Sequence, residues 1–135
     1  MKRVAAIDFG EKRIGLAISD LERKIAFPLK VVEGGKKALQ NVRDALPLKE
    51  VDLILVGLPL ELSGKKGKMA LLVEEFAKKL GEALQIQVEL VDERLSSKGA
   101  EVRLKELSLD RKKRTEKMDM MSATLLLQTY LERKQ

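Results

Sequence analysis

The sequence contains no cysteine, no histidine and no tryptophan. Their absence removes disulfides, a cysteine nucleophile, an imidazole base and every zinc site built on Cys or His. Chemistry is left to carboxylates, amines, hydroxyls and water activated by a metal on oxygen ligands. Aromatic residues are scarce as well, with three Phe and one Tyr. Phe9, Phe27, Phe76 and Tyr130 fall mostly in segments that read as core strands or helices. Little remains for stacking on unpaired bases, so recognition of a nucleic acid would rely on backbone charge and shape. No apolar run approaches the roughly 18 residues of a membrane span, and the stretch after Met1-Lys2-Arg3 is too short for a secretory signal core. No membrane association and a cytoplasmic location are expected.

What is present suits one compact domain, 1–135. The chain has 135 residues, 44% hydrophobic and 36% charged, enough apolar surface for a single core and too short for two full-sized ones. Lys plus Arg number 27 against 21 Asp plus Glu, a formal charge of +6. That surplus favours a polyanionic partner.

Val4 to Phe9 and Ile14 to Ser19 read as two strands joined by Gly10-Glu11-Lys12-Arg13, a connection of hairpin length. Ile25 to Val32 reads as a third, and Pro28 within it predicts a sheet edge or a bulge. Leu39, Val42 and Leu46 recur at helical offsets up to Pro47. Val51 to Gly57 is nearly continuous apolar sequence, as in a strand covered on both faces. Met69, Leu72, Val73, Phe76 and Leu80 form a helical stripe that Gly81 is expected to stop. Ile86, Val88 and Leu90 alternate with polar residues before Val91, which reads as a fifth strand ending at Asp92-Glu93. Ser96 or Ser97 suits the cap of a further helix with Ala100, Leu104 and Leu107 inward. Arg111, Lys112, Lys113, Arg114 and Lys117 then form a basic segment, read as a solvated connector or a phosphate-contacting loop. A closing helix follows from about Met118 to Glu132. The sum is an α/β fold: a mixed five-stranded sheet, its first three strands antiparallel, flanked by helices on both faces.

Four acids stand out, at three places in the chain. Asp8 ends the first strand, sharing a period-two face with apolar Val4 and Ala6. Asp92 and Glu93 end the last strand, and alternation sends them to opposite faces, so at most one comfortably joins Asp8. Asp119 precedes Ala123, Leu126 and Tyr130 at offsets that place it on an apolar helix stripe. A carboxylate there needs a partner, because burial disfavours its charge. Were Asp8, Glu93 and Asp119 to converge, they would suit Mg²⁺ or Mn²⁺, and a pair of such ions supports phosphodiester hydrolysis without histidine. Lys12, Arg13, Arg94 and the Arg111 to Arg114 run are the candidate phosphate contacts, Arg13 and Arg94 being nearest the acids in sequence.

Plainer readings stand beside these. Asp8 before Gly10 also fits a turn carboxylate, Asp119 a helix-dipole partner, Glu93 a simple ion pair with Arg94, and the basic residues a solvated surface. Gly57-Leu58-Pro59 fits a binding loop or ordinary turn geometry equally. Ser63-Gly64-Lys65-Lys66-Gly67-Lys68 is a basic loop lacking the spacing of a phosphate-binding loop.

The run Ile7-Asp8-Phe9-Gly10-Glu11-Lys12-Arg13-Ile14-Gly15-Leu16-Ala17-Ile18-Ser19-Asp20 closely resembles the DxGxKRxGxAxSD signature of the bacterial YqgF or RuvX family of candidate pre-16S rRNA nucleases. Gly57-Leu58-Pro59-Leu60, Asp92-Glu93-Arg94-Leu95-Ser96-Ser97 and the helix from Asp119 to Leu131 resemble its later motifs in order. The resemblance covers Val4 to Leu131. It implies an RNase H-like fold related to Holliday junction resolvases, a metal-dependent nuclease acting in 5′-end maturation of 16S rRNA, and structured RNA or a small-subunit particle as partner. It implies Asp8, Glu93 and Asp119 as catalytic and metal-binding carboxylates, with Asp92 in support. Relative to junction resolvases, Gly57 replaces the acid at the end of the fourth strand, so Glu93 would substitute from the next. The usual DERxTT reads DERLSS here, and the loop after Leu60 departs from the family pattern. Cleavage of branched DNA and a non-catalytic ribosome-assembly role are the alternative expectations. An actin-like sugar kinase or ATPase would need a second related domain, for which this chain has no room.

Overall fold

The computed structural model describes residues 2–61, 63–95 and 111–134. Its strands are β1 (Arg3–Asp8), β2 (Arg13–Ser19), β3 (Ala26–Glu33), β4 (Val51–Leu58) and β5 (Gln87–Asp92), and its α-helices are α1 (Ala38–Ala45), α2 (Lys68–Leu84) and α3 (Arg111–Lys134). The strands form one sheet in the order β3-β2-β1-β4-β5. β1 pairs antiparallel with β2 and β2 with β3, whereas β4 runs parallel to both β1 and β5. β1 is therefore central, and the carboxyl ends of β1, β4 and β5 open on one edge of the sheet.

Both faces are covered. Ala5, Ile7, Ile14, Leu16, Ile54 and Val56 point to one side and pack under Val42 of α1 and Val73, Phe76 and Leu80 of α2. Val4, Ala6, Ala17, Leu53 and Leu55 point to the other and meet Ala123, Leu126, Leu127 and Leu131 of α3. Ala6 and Ala17 are directly paired across β1 and β2. Their small side chains leave room for the leucines of α3 to close on the centre of the sheet.

Several expectations hold with physical cause. β3 is an edge strand, and its pairing with β2 slips between Leu16 and Ala17, beside Pro28. Leu46 caps α1 just before Pro47. Gly81 does not end α2. The helix passes through it to Leu84 and turns at Gln85, which takes a left-handed conformation with φ 56°. A Cβ on Gly81 would lie 3.3 Å from Val88 Cγ2, so glycine serves there to bring α2 close to β5. Leu90 is exposed although Ile86 and Val88 pack on the core, because β5 is the other sheet edge. Phe27 on β3 is also exposed. The segment from Arg111 to Lys117 is no loop: it forms the first turns of α3. Lys and Arg are good helix formers and no Gly or Pro interrupts the run. The predicted helix following Ser96 and Ser97 lies outside the described residues.

Leu127 is fully buried between α3 and the sheet. Leu127→Ala is expected to cost about 3 kcal/mol, read as a lower denaturant midpoint with an unchanged slope.

Candidate active site

The open edge of the sheet is built by the backbone. Ile7 pairs with Val56 in parallel register, and Gly57 pairs with Val91. Strand alternation then puts Asp8, Gly57 and Glu93 on the face that α3 covers, each just past the apolar cluster of that face. On the opposite face Phe9, next to Asp8, stacks its ring on Phe76 with centroids 4.7 Å apart, which pins the end of β1 to α2. The turn after Phe9 is tight. A Cβ on Gly10 would lie 2.4 Å from the carbonyl oxygen of Arg13, so no larger residue fits without reshaping the hairpin beside Asp8.

Glu93 begins a short 3-10 turn (Glu93–Leu95) after β5. Its side chain lies over Gly57: a Cβ there would be 2.5 Å from Glu93 Oε1 and 2.9 Å from its Cγ. The space left by the missing side chain at the end of β4 is thus filled by a carboxylate from the neighbouring strand. Glu93 and Asp8 share a side-chain hydrogen bond, with protonated Glu93 donating. Burial first, then the negative charges of Asp8 and Asp92, push the Glu93 carboxyl up to about 7. Two carboxyls in contact hold a proton between them rather than accept two full charges.

Asp92 faces away from that pair. Its carboxylate takes Arg94 Nη2 at 2.7 Å and Nε at 3.1 Å, and it also accepts the Arg94 backbone N–H at 2.9 Å. The Arg94 guanidinium accordingly holds the Asp92 carboxyl below its usual range. A third guanidinium contact, from Nη1, donates to the Glu61 carbonyl at 3.3 Å. Arg94, an expected phosphate contact, thus has Asp92 and the Glu61 carbonyl as partners within the protein. Arg94 forms an ion pair with Asp92.

Asp119 lies on α3, and its backbone is at the same end of the sheet. Met120, the next residue, lines an open groove of about 420 Å³ with Arg13, Lys30 and Glu33. Farther along, Gln128 accepts the Ala26 N–H at 2.8 Å and donates to the Lys24 carbonyl at 3.3 Å, at the opposite end. The helix therefore runs away from the carboxylate edge, with Asp119 one turn before buried Ala123. The side chains of Asp119, Arg111, Lys112, Lys113 and Arg114 are outside the described set. Lys12 and Arg13 are exposed on the β1–β2 hairpin next to Asp8.

Among the described residues no group of three metal-capable side chains gathers; the structure brings Asp8 and Glu93 together. Their chemistry fits a hard divalent cation, since both offer oxygen and the raised proton affinity of Glu93 marks negative charge in need of a counter-charge. Gly57 as the seat of Glu93 is the feature that residue patterning alone leaves undecided. The missing acid at the end of the fourth strand is its one sequence signal. The contact from Arg94 to Glu61 has no such signal.

The RuvX family, described as Holliday junction resolvase, matches residues 2–133. A candidate pre-16S rRNA nuclease of Syntrophomonas wolfei is 43% identical over 132 residues, covering 96% of this chain and 94% of that protein. One from Protochlamydia amoebophila is 42% identical over 139 residues, covering 96% and 93%. Among solved structures, the fold is similar to that of Fowlpox virus resolvase bound to Holliday junction DNA, with a TM-score of 0.63 at 16% identity over 98% of both chains. Thermus thermophilus RuvC in complex with a Holliday junction gives a TM-score of 0.58 at 14% identity, covering 98% of this chain and 96% of that one. At such identities the likeness is one of fold.

The carboxyl pair has a stability signature. The folded-state pKa of Glu93, about 7, lies above its ordinary value of 4.5, so the folded protein binds more protons than the unfolded chain between those values. Stability then falls as pH rises through that window and levels off above it. Glu93→Gln keeps the shape and cannot ionise. It is expected to gain about 1 kcal/mol over the parent between pH 4.5 and pH 8, after allowance for solvent screening. Urea unfolding at the two pH values measures it.

Proposed function

Since the chain belongs to the RuvX family, we propose that it is a metal-dependent nuclease, acting as one domain over 1–135 to hydrolyse phosphodiester bonds in maturing the 5′ end of pre-16S rRNA. The observation that carries this reading is the seating of Glu93 over Gly57 beside Asp8, which assembles two carboxylates on the edge where α/β sheets bind their ligands. Asp8, Glu93 and, from α3, Asp119 are the residues that would hold Mg²⁺ or Mn²⁺. When bound, such a cation offsets charge on the scissile phosphate and lowers the pKa of water.

The chain's own groups do the rest. Lys12 and Arg13, on the hairpin that follows Asp8, draw the polyanionic backbone toward acids that would otherwise repel it. Arg111, Lys112, Lys113 and Arg114 add positive charge along the turns of α3 that lead to Asp119. Asp92 and Arg94 fix the 3-10 turn that aims Glu93. Phe9 and Phe76 hold the end of β1, so Asp8 keeps its position under electrostatic load. No described helix is long and apolar enough to cross a membrane, and a ribosomal precursor as substrate places the reaction in the cytoplasm.

Incubation with immature 16S rRNA, with and without Mn²⁺, is the deciding assay. The parent protein is expected to shorten the 5′ end only with the cation. Asp8→Asn should abolish the reaction while its thermal unfolding stays unchanged or rises slightly; unchanged turnover in that variant contradicts the assignment. A four-way DNA junction run alongside tests the resolvase alternative, which the description of the matching family favours. RNA binding without cation-dependent cleavage of either substrate points to the assembly-factor role.

Gly57→Ala provides a separate test, because its methyl group would occupy the volume of the Glu93 carboxylate. The expected loss is about 100-fold in kcat, as for a catalytic group displaced by about 1 Å. Circular dichroism should show the fold retained.

A further inference from the structure

The loop between β4 and α2 is built more firmly than its composition suggests. Leu60 and Lys66 form an antiparallel bridge across it. The Glu61 N–H donates to the Lys65 carbonyl at 3.0 Å, and the Gly64 N–H donates to the Glu61 carbonyl at 2.8 Å. Gly64 has φ +86°, the left-handed region that favours glycine. The Glu61 carbonyl that anchors this turn also receives Arg94 Nη1. Through Arg94 the loop is fastened to the residue directly after Glu93.

Charge in this region separates into pairs and a remainder. Arg94 is compensated by Asp92, and Lys66 by Glu74 at 2.9 Å. Lys65 and Lys68 are exposed and make no ion pair among the described residues, nor does the exposed carboxylate of Glu61, which leaves two positive charges against one negative. The loop and the first residue of α2 therefore present two unpaired ammonium groups on a fastened frame that starts two residues after Gly57.

We propose that this loop is a basic arm gripping the sugar-phosphate backbone of the substrate strand beside the Asp8–Glu93 pair, with Arg94 as its positioning residue. The inference rests on the nuclease reading for the identity of the polyanion. Arg94 acts through the loop: its planar fork holds the Asp92 carboxylate and the Glu61 carbonyl together, a geometry that a lysine cannot reproduce. Lys65 and Lys68 act on the substrate directly.

The test is a salt series of binding, by fluorescence anisotropy, to a labelled RNA fragment spanning the immature 5′ end of 16S rRNA, combined with cleavage kinetics in Mn²⁺. The variant Lys65→Gln/Lys68→Gln should flatten the slope of log K against log salt by about 1.5, two phosphate contacts' worth. It should also raise KM about tenfold at near-physiological salt with kcat retained. Arg94→Lys preserves the charge and should nevertheless flatten the slope to a similar extent. Combining it with the double variant should flatten it no further, and in Arg94→Lys alone trypsin should cut after Lys65 and Lys66 faster than in the parent.

An unchanged slope in Lys65→Gln/Lys68→Gln overturns the arm. A parental slope in Arg94→Lys, or effects that add when the variants are combined, overturns the positioning role. A parent protein that binds the fragment with the expected slopes and never cleaves it removes the nuclease reading while leaving the arm in place, so the two failures are distinguishable.

Discussion

Two carboxyl groups from different strands are pressed together where a third strand has no side chain to keep them apart. The function proposed for the molecule rests on this contact. Asp8 comes from the central strand and Glu93 from the turn after the edge strand, and Gly57 between them supplies the vacancy that Glu93 occupies. The arrangement is electrostatically costly, and the raised proton affinity of Glu93 expresses that cost. A site that stores unfavourable negative charge is one that a divalent cation relieves.

The fold holds this strained pair by conventional means. Parallel pairing of β1, β4 and β5 brings their carboxyl ends to one edge, and the apolar clusters on the two faces of the sheet make that edge rigid. The Phe9 and Phe76 rings brace it from one side. On the other, the small residues Ala6, Ala17 and Ala123 let α3 lie close, and this brings the backbone of Asp119 to the same edge. Arg94 joins the turn carrying Glu93 to the β4–α2 loop.

Much of this was readable in the residues. The three opening strands, the edge position implied by Pro28, the buried character of Val51 to Gly57 and the two-sided covering all follow from periodicity and burial. The signature around Asp8 divides on inspection of the structure. Asp8 reaches the site, whereas Ser19 accepts the Val4 N–H at 2.8 Å and Asp20 accepts the N–H groups of Lys24 and Ile25, which is purely architectural. Misreadings came where local propensity and tertiary context compete. Gly81 reads as a stop, yet close packing on Val88 keeps it helical, and the basic run from Arg111 reads as a loop, yet it consists of good helix formers. Sequence adjacency likewise cannot reveal that Arg94 binds Asp92 and the Glu61 carbonyl.

The central claim, that Asp8 and Glu93 meet over Gly57 in order to hold a divalent ion, is tested most directly by anomalous diffraction from crystals soaked in Mn²⁺. The account predicts a manganese peak in contact with both carboxylates. Clear peaks elsewhere on the protein, with none at this pair under conditions in which the protein cleaves RNA, would contradict it.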